Sequence, residues 1–300
     1  MTRVKGLTVA GPTYIAVTHC KNEEKTITNC VESVLNQTVP PAVYVVVDDG
    51  STDGTPEILN GFESRIEIVS LEATRTRERG DHHRNLLLLS YHEAVEKVAD
   101  WQYLLTVDAD EILYSDYLER ILSKMEEDPK LGMASGIPIS KVVGGYRKIY
   151  KASHGVWNGA RVYRRGCWDD LGAIPSIQGW DKWVQFEANR LGWRTEPFDD
   201  INFVEERPWG GTTLKYWIRR GFSRKLLGYS TLTHIITCST RLTHRPYFFG
   251  SLAFFLSFML YGIRGERYFS EDYHDFVRRH TLKYARGWLK ISRIRSKLKV

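Results

Sequence analysis

The chain has 300 residues, 42% apolar and 12% aromatic, with 24 Gly, 10 Pro and a formal net charge of +6. With no short repeat, that composition excludes collagen, coiled coil and wholesale disorder, and leaves room for one large domain or two ordinary ones. Four cysteines, Cys20, Cys30, Cys167 and Cys238, are too sparse for a disulfide scaffold, and without a C-x-x-C pair they give no zinc signal.

Tyr14 to Thr18 reads Y-I-A-V-T, a β-branched apolar run that predicts a strand. The polar stretch after it, with Val31, Val34 and Leu35 at helical spacing, predicts a helix. V-Y-V-V-V at Val43 to Val47 is continuously apolar, as expected of a strand covered on both faces in a parallel sheet. Asp48 to Gly54 predicts a turn, and Thr55-Pro56 the N-cap and first residue of a short helix ending near Gly61. Ile66 to Leu71 reads as a third strand, residues 84–99 as a helix, and Tyr103 to Val107 as a fourth strand running into Asp108. Strands alternating with helices in this way predict an α/β domain with a mainly parallel sheet flanked by helices. Beyond it come a helix capped by Ser115 and reaching about Glu127, extended segments over 133–164 with a turn at Gly144-Gly145, and a helix from about Gly179 to Leu191.

Charge divides the chain near residue 210. Residues 1–210 carry 24 Lys+Arg against 32 Asp+Glu, whereas residues 211–300 carry 18 against 4, a balance of −8 and +14. The expected organisation is therefore a catalytic domain over 1–210 and a basic, aromatic, helical region over 211–300. In the latter, Leu214, Trp217, Ile218, Phe222 and Leu226 recur at helical spacing among Lys215, Arg219, Arg220, Arg224 and Lys225. Residues 246–263 hold no charge over 18 positions, at the short edge of a bilayer span. Residues 278–300 carry nine Lys/Arg and no acid. The polyanion such a region calls for is a nucleic acid or an anionic membrane surface, and the uncharged 246–263 run argues for the membrane and against nucleic acid. A buried core helix is the plainer use of that run. No apolar stretch follows Arg3 and Lys5, so no secretory signal is read there and residues 1–210 are expected in the cytoplasm.

Ligands of doubly wound sheets sit outside the carboxyl ends of the strands. Two predicted strands end in acids: Val47 leads into Asp48-Asp49-Gly50-Ser51-Thr52-Asp53, and Val107 into Asp108-Ala109-Asp110-Glu111. Either alone reads as a capped turn or a solvated loop. With Asn22-Glu23, E-S-V-L-N-Q-T at Glu32 to Thr38, V-V-V-D-D-G-S-T-D at Val45 to Asp53, and Arg84-Asn85, the chain resembles the family-2 glycosyltransferases over about residues 12–206. These are GT-A, Rossmann-like enzymes that transfer sugars from nucleotide-sugars; the basic tail resembles membrane-associated members acting on lipid-linked acceptors, distantly cellulose-synthase-like.

The resemblance implies a nucleotide-sugar half at about 12–111 and an acceptor half at about 112–210. It makes Asp110 the direct ligand of Mn²⁺ or Mg²⁺ and turns Asp108 to the ribose or the metal. It assigns Asp49, with Asp48 beside it, to the base or ribose, helped by Thr18 and Glu23, with Arg84 also on the nucleotide. Paired carboxylates suit such an ion because they supply hard oxygen ligands and leave positions open for phosphate. The acceptor hydroxyl must lose a proton as it attacks, which calls for a base. Family members open a helix about 70 residues after the D-x-D with a Glu-Asp pair; in Gly179 to Trp193 the second acid is Asp181, whereas the first position is Trp180. Asp181 also suits an N-cap, and Glu187 is the substitute base.

A single displacement inverts the anomeric centre, and no Q-x-x-R-W string marks processive synthesis, so one sugar per encounter is expected. Mannose from GDP-mannose is the first expectation, glucose or N-acetylglucosamine from a UDP-sugar the second, onto a lipid-linked glycan or glycolipid at the cytoplasmic face of the cell membrane. Other readings are a polyprenyl-phosphate sugar synthase and a non-catalytic nucleotide-sugar-binding subunit. Attachment is expected to be interfacial or re-entrant, with a two-helix hairpin as the alternative.

Overall fold

In the computed structural model, residues 11–72, 79–142, 145–148, 155–207, 213–242, 246–263 and 268–283 are described. They cluster into two compact units. One takes the described residues of Met1–Ala173 and Gly192–Pro208, the other those of Ile174–Leu191 and Trp209–Val300.

The first unit is organised by β1 (Tyr14–Cys20), β2 (Val43–Asp48), β3 (Glu67–Ser70) and β4 (Tyr103–Asp108), parallel neighbours in the order β3-β2-β1-β4. The apolar runs of β1, β2 and β4 are buried on both faces, where Ile15, Val45, Val46 and Leu104 expose nothing, whereas the edge strand β3 is half-buried. The crossovers are α1 (Ile27–Leu35), α2 (Thr55–Asn60) and α3 (Arg79–Lys97). Next come β5 (Glu111–Leu113), α4 (Tyr117–Glu127), β6 (Leu131–Val142), β7 (Gly145–Lys148), β8 (Ala160–Arg164), α5 (Arg165–Leu171) and, after an excursion into the second unit, β9 (Arg194–Glu205).

The sheet continues β4-β8-β6-β9-β5 with β7 on β6, and four of its eight pairings, β4 with β8, β6 with β7, β6 with β8 and β5 with β9, are antiparallel. The fold is therefore mixed α/β rather than mainly parallel. The reason lies in the connections: among the described residues no crossover helix, which a parallel neighbour requires, stands between β6, β7 and β8.

Element boundaries also differ from the sequence reading. α3 starts at Arg79, five residues before the predicted 84. α2 is capped at Gly54 rather than Thr55, because Asp53 Oδ1 accepts from both the amide (3.0 Å) and the hydroxyl (2.6 Å) of Thr55 and draws that residue into the helix. α4 is capped at Asp116, since the carbonyl of Ser115 is engaged by the Thr38 amide at 2.8 Å.

The second unit is helical: α6 (Trp180–Arg190), α7 (Leu214–Leu226), α8 (Thr231–Thr240), α9 (Phe248–Ile263) and α10 (271–283). Thr213 and Ser230 cap α7 and α8, their hydroxyls accepting from the amides of Tyr216 and Thr233 at 3.2 and 3.1 Å. The segment carrying α6 packs with these helices: Trp183 stacks on Phe269 at 6.2 Å, and Phe186 meets Tyr229 at 5.5 Å. Gly179 enters α6 at φ +92°, where a side chain would be strained and would collide with Ser223. Among the described residues, no helix is long and apolar enough to cross a membrane. The tail beyond 283 and the Arg245 end of the predicted hairpin lie outside the described residues.

Candidate active site

The acids named from sequence gather because β2, β1 and β4 are adjacent and end together. Cys20 is paired in register with Asp48, and His19 with Asp108. Their carboxyl ends form one rim, the place where an open α/β sheet takes its ligand.

Backbone chemistry then knits the loops after β1 and β2 into one wall. Asn22 adopts φ +57°, a left-handed conformation that its short side chain tolerates. Its amide donates to Ser51 Oγ (2.9 Å), and its Oδ1 accepts from the Thr52 amide (2.8 Å). The Glu23 amide donates to Thr55 Oγ1 (2.8 Å), the Gly54 amide to Glu24 Oε2 (3.0 Å), and Lys21 Nζ to the Asp49 carbonyl (2.9 Å). D-D-G-S-T-D is thus rigid before any ligand arrives.

Two of the residues expected at the nucleotide also hydrogen-bond within the protein. Thr18 is 1% exposed, and its hydroxyl joins Tyr44 (2.8 Å) and the Val107 carbonyl (2.9 Å), tying β1 to both neighbours. Asp48 is 3% exposed and shapes the turn: its Oδ1 accepts from the Ser51 amide (3.1 Å) and hydroxyl (2.5 Å).

Asp49 carries a partner the sequence did not single out, His82 of α3, whose Nε2 lies 2.8 Å from Asp49 Oδ2. Behind it His83 Nδ1 is 3.1 Å from His19 Nε2, and burial together with His83 lowers the His19 pKa to about 3, so this imidazole is neutral at physiological pH. Arg84 Nη1 donates to Asn85 Oδ1 at 2.8 Å.

The other side of the rim is an acidic cluster. Asp108 and Asp110 end β4, and β5 pairs Glu111 in register with Glu205 of β9. Burial raises the Glu111 pKa well above the carboxylate range, with the Asp108 charge adding to it. Burial, Asp110 and Asp108 push Glu205 up to about 7. Glu111 Oε1 accepts from Trp157 Nε1 at 2.6 Å, while the Oε2 atoms of Glu111 and Glu205 are buried with no hydrogen-bond partner.

Arg207 answers these acids. Arg207 Nε donates to Asp110 Oδ2 (2.9 Å) and its Nη2 to Glu23 Oε1 (2.6 Å), bridging the ends of β1 and β4. Among the described residues no group of three or more His, Cys, Asp or Glu is arranged to hold a metal ion. The donor set nevertheless fits a divalent cation: hard carboxylate oxygens, a surplus of negative charge, and acids whose pKa values are raised by burial and by neighbouring carboxylates.

Gly159 makes that packing fit, because a Cβ there would collide with the Glu111 carboxylate. Gly159→Ala is expected to cost about 1–3 kcal/mol of stability through overpacking, read as a lowered thermal midpoint; an unchanged midpoint would mean that Glu111 moves freely.

Asp181 sits in the first turn of α6, in the second unit. It does not cap the helix, whose N-cap is Gly179. The substitute base, Glu187, is tied to Arg190 at 2.8 and 2.5 Å.

Sequence reasoning missed Arg207, Glu205 and His82 and gave Glu111 no role. Of these only Glu111 carried a local signal, as the last letter of D-A-D-E.

A mixed sheet whose adjacent parallel strands end in a carboxylate-lined rim defines a ligand-binding α/β unit of the nucleotide-binding kind. The chain belongs to glycosyl transferase family 2, whose domain matches residues 15–179, more than half of its length.

Among curated relatives it is similar to the poly-β-1,6-N-acetyl-D-glucosamine synthase of Staphylococcus epidermidis, 28% identical over 140 residues, 45% of this chain and 31% of the relative. It is also similar to the poly(ribitol-phosphate) β-glucosyltransferase of Bacillus spizizenii, 34% identical over 122 residues, 39% of this chain and 18% of the relative. The chain thus spans about a third or less of the length of these relatives. In fold it is similar to a mannosyltransferase from Pyrobaculum calidifontis solved with GDP-Man and Mn²⁺ (TM-score 0.54, 19% identity, 84% of this chain and 73% of that one). TarS 1–349 of S. aureus with UDP-GlcNAc is another such neighbour (TM-score 0.52, 16% identity, 85% and 73%).

Proposed function

We propose that this chain is a metal-dependent, inverting glycosyltransferase that moves one sugar from a nucleotide-sugar onto a lipid-linked glycan or glycolipid at the cytoplasmic face of the cell membrane. The observation that carries the catalytic part is the single rim on which β2, β1 and β4 present Asp49, Glu23, Asp108 and Asp110. The lipid acceptor is argued from the cationic, aromatic second unit, which suits an anionic leaflet.

In this reading Asp110 and Asp108 hold the divalent cation, which when bound neutralises the charge developing on the diphosphate leaving group. Asp49, stiffened by His82, meets the base. Arg207 keeps Glu23 and Asp110 together at the rim, and Asp181 takes the proton from the acceptor hydroxyl.

Mannose from GDP-mannose is the first donor reading, supported by the fold neighbour solved with GDP-Man and Mn²⁺. A uridine donor is the second, favoured by the His82 contact to Asp49 Oδ2. Guanine offers two donors along one edge and matches both oxygens of a carboxylate, whereas the single N3–H of uracil, flanked by acceptors, matches one oxygen beside a donor.

The test is a thermal-shift panel of GDP- and UDP-sugars with and without Mn²⁺, followed by nucleoside diphosphate release in the presence of extracted lipid. A metal-dependent shift with one nucleotide and lipid-dependent release is expected. If no nucleotide-sugar shifts the protein, the catalytic reading falls.

A further inference from the structure

We propose that the outward face of α8 and α9 is a membrane-docking surface that inserts partway into an anionic lipid bilayer without crossing it. This deepens the acceptor reading above, on which it rests for its purpose, by naming the surface that brings the chain to its lipid.

α9 is built inside out. Its buried side carries Gly250, Ser251 and Ser257 beside Phe254 and Phe258, whereas Phe248, Phe249, Leu252, Leu256 and Leu260 face outward, between 39% and 68% exposed. α8 repeats the pattern: Thr233, His234 and Cys238 are buried, and Leu232 and Ile235 are 58% and 46% exposed.

The inner polar groups turn to helix backbone. Ser251 Oγ donates to the Cys238 carbonyl (3.1 Å), Ser257 Oγ to that of Phe254 (3.0 Å), and the His234 ring stacks on Phe258 at 4.0 Å with Nε2 3.2 Å from the Phe254 carbonyl. Gly221 of α7 lets α9 approach so closely that a Cβ would collide with Ser257. Water drives large aliphatic side chains inward and leaves hydroxyls outside. Small and polar residues at the helix contacts, with leucine and phenylalanine on the outside, are the packing of helices that face lipid.

Charge selects the occupant. Residues 213–242 carry six Lys/Arg and no acid, and 246–263 carry no charge at all. Four of the six lie against rings of the same unit: Arg220 over Tyr216 (5.7 Å), Arg224 over Tyr229 (3.9 Å), Lys225 over Phe258 (4.8 Å) and Arg241 over Trp217 (5.2 Å). An anionic leaflet complements that excess; a second copy would set six cations against six. Length selects the mode. The 16 residues of α9 reach about 24 Å, short of the ~30 Å hydrocarbon core, so the face enters one leaflet only.

The experiment is flotation of the full chain with vesicles of phosphatidylcholine alone or mixed with phosphatidylglycerol. Binding to the anionic vesicles, weakened by salt, is expected. The double substitution Leu252→Gln and Leu256→Gln is expected to weaken it at least tenfold, with the thermal midpoint and nucleotide-sugar binding of the first unit unchanged. A nitroxide on Leu256→Cys, specific because the four native thiols are buried, is expected to become accessible to oxygen and shielded from water-soluble relaxants on the vesicles. Undiminished flotation of the double variant, a label still in water, or a concentration-dependent dimer that buries the label without lipid would each overturn the proposal. Failure of the acceptor reading looks different: intact vesicle binding with no lipid-linked product.

Discussion

Asp110→Asn is expected to lower turnover by a hundredfold to a thousandfold and to abolish its dependence on Mn²⁺ concentration. The substitution is nearly isosteric but removes a full negative charge from the end of β4, where Asp110 Oδ2 now accepts from Arg207 Nε at 2.9 Å. A neutral amide is a poor ligand for a hard divalent cation, and charge stabilisation lost from a leaving group typically costs rates of that size. The fold is expected to survive, because Asp110 stands at the rim and not in the core, its side chain 17% exposed. Initial rates across a Mn²⁺ titration, with a thermal melt as control, measure this. Wild-type turnover with unaltered metal dependence would remove Asp110 from the site.

The second large effect is expected at Asp181. Asp181→Asn should lower kcat by about 10²- to 10⁴-fold, the usual worth of a general base, while leaving the affinity for the nucleotide-sugar untouched, because a base acts on the acceptor hydroxyl and not on the donor. That split between kcat and donor affinity separates a base from a residue that supports the fold. Loss of both together would mark Asp181 as structural. Full retention of turnover would leave the base unassigned, and Glu187, held by Arg190, would need to be freed before it could serve. A wild-type chain that binds nucleotide-sugar yet never turns over would favour the non-catalytic reading raised by Trp180 in the expected acid position.

β1, β2 and β4 were legible because each is a short continuous apolar run, and covering both faces of a central parallel strand demands such a run. The motif acids were legible because they stand directly after those runs. The mixed character of the second half of the sheet was not, since strand direction follows from how β6, β7 and β8 are joined, and periodicity says nothing of that. Thr18 and Asp48 show the same limit at single residues. Their chemistry suits a nucleotide, and only the tertiary structure shows that the same oxygens also bond Tyr44, Val107 and Ser51.

By itself the amino-acid sequence determined the α/β class, the acidic strand ends and the break in charge near residue 210, because each is written in neighbouring residues. Tertiary structure alone decided the rest. It brought Glu205 and Arg207, about a hundred positions away, beside Glu111 and Asp110, and set His82 against Asp49. It also turned the serines of α9 inward and its leucines outward. Each of these depends on which surfaces pack against which, and that is settled by the closure of the whole chain rather than by any local stretch of it.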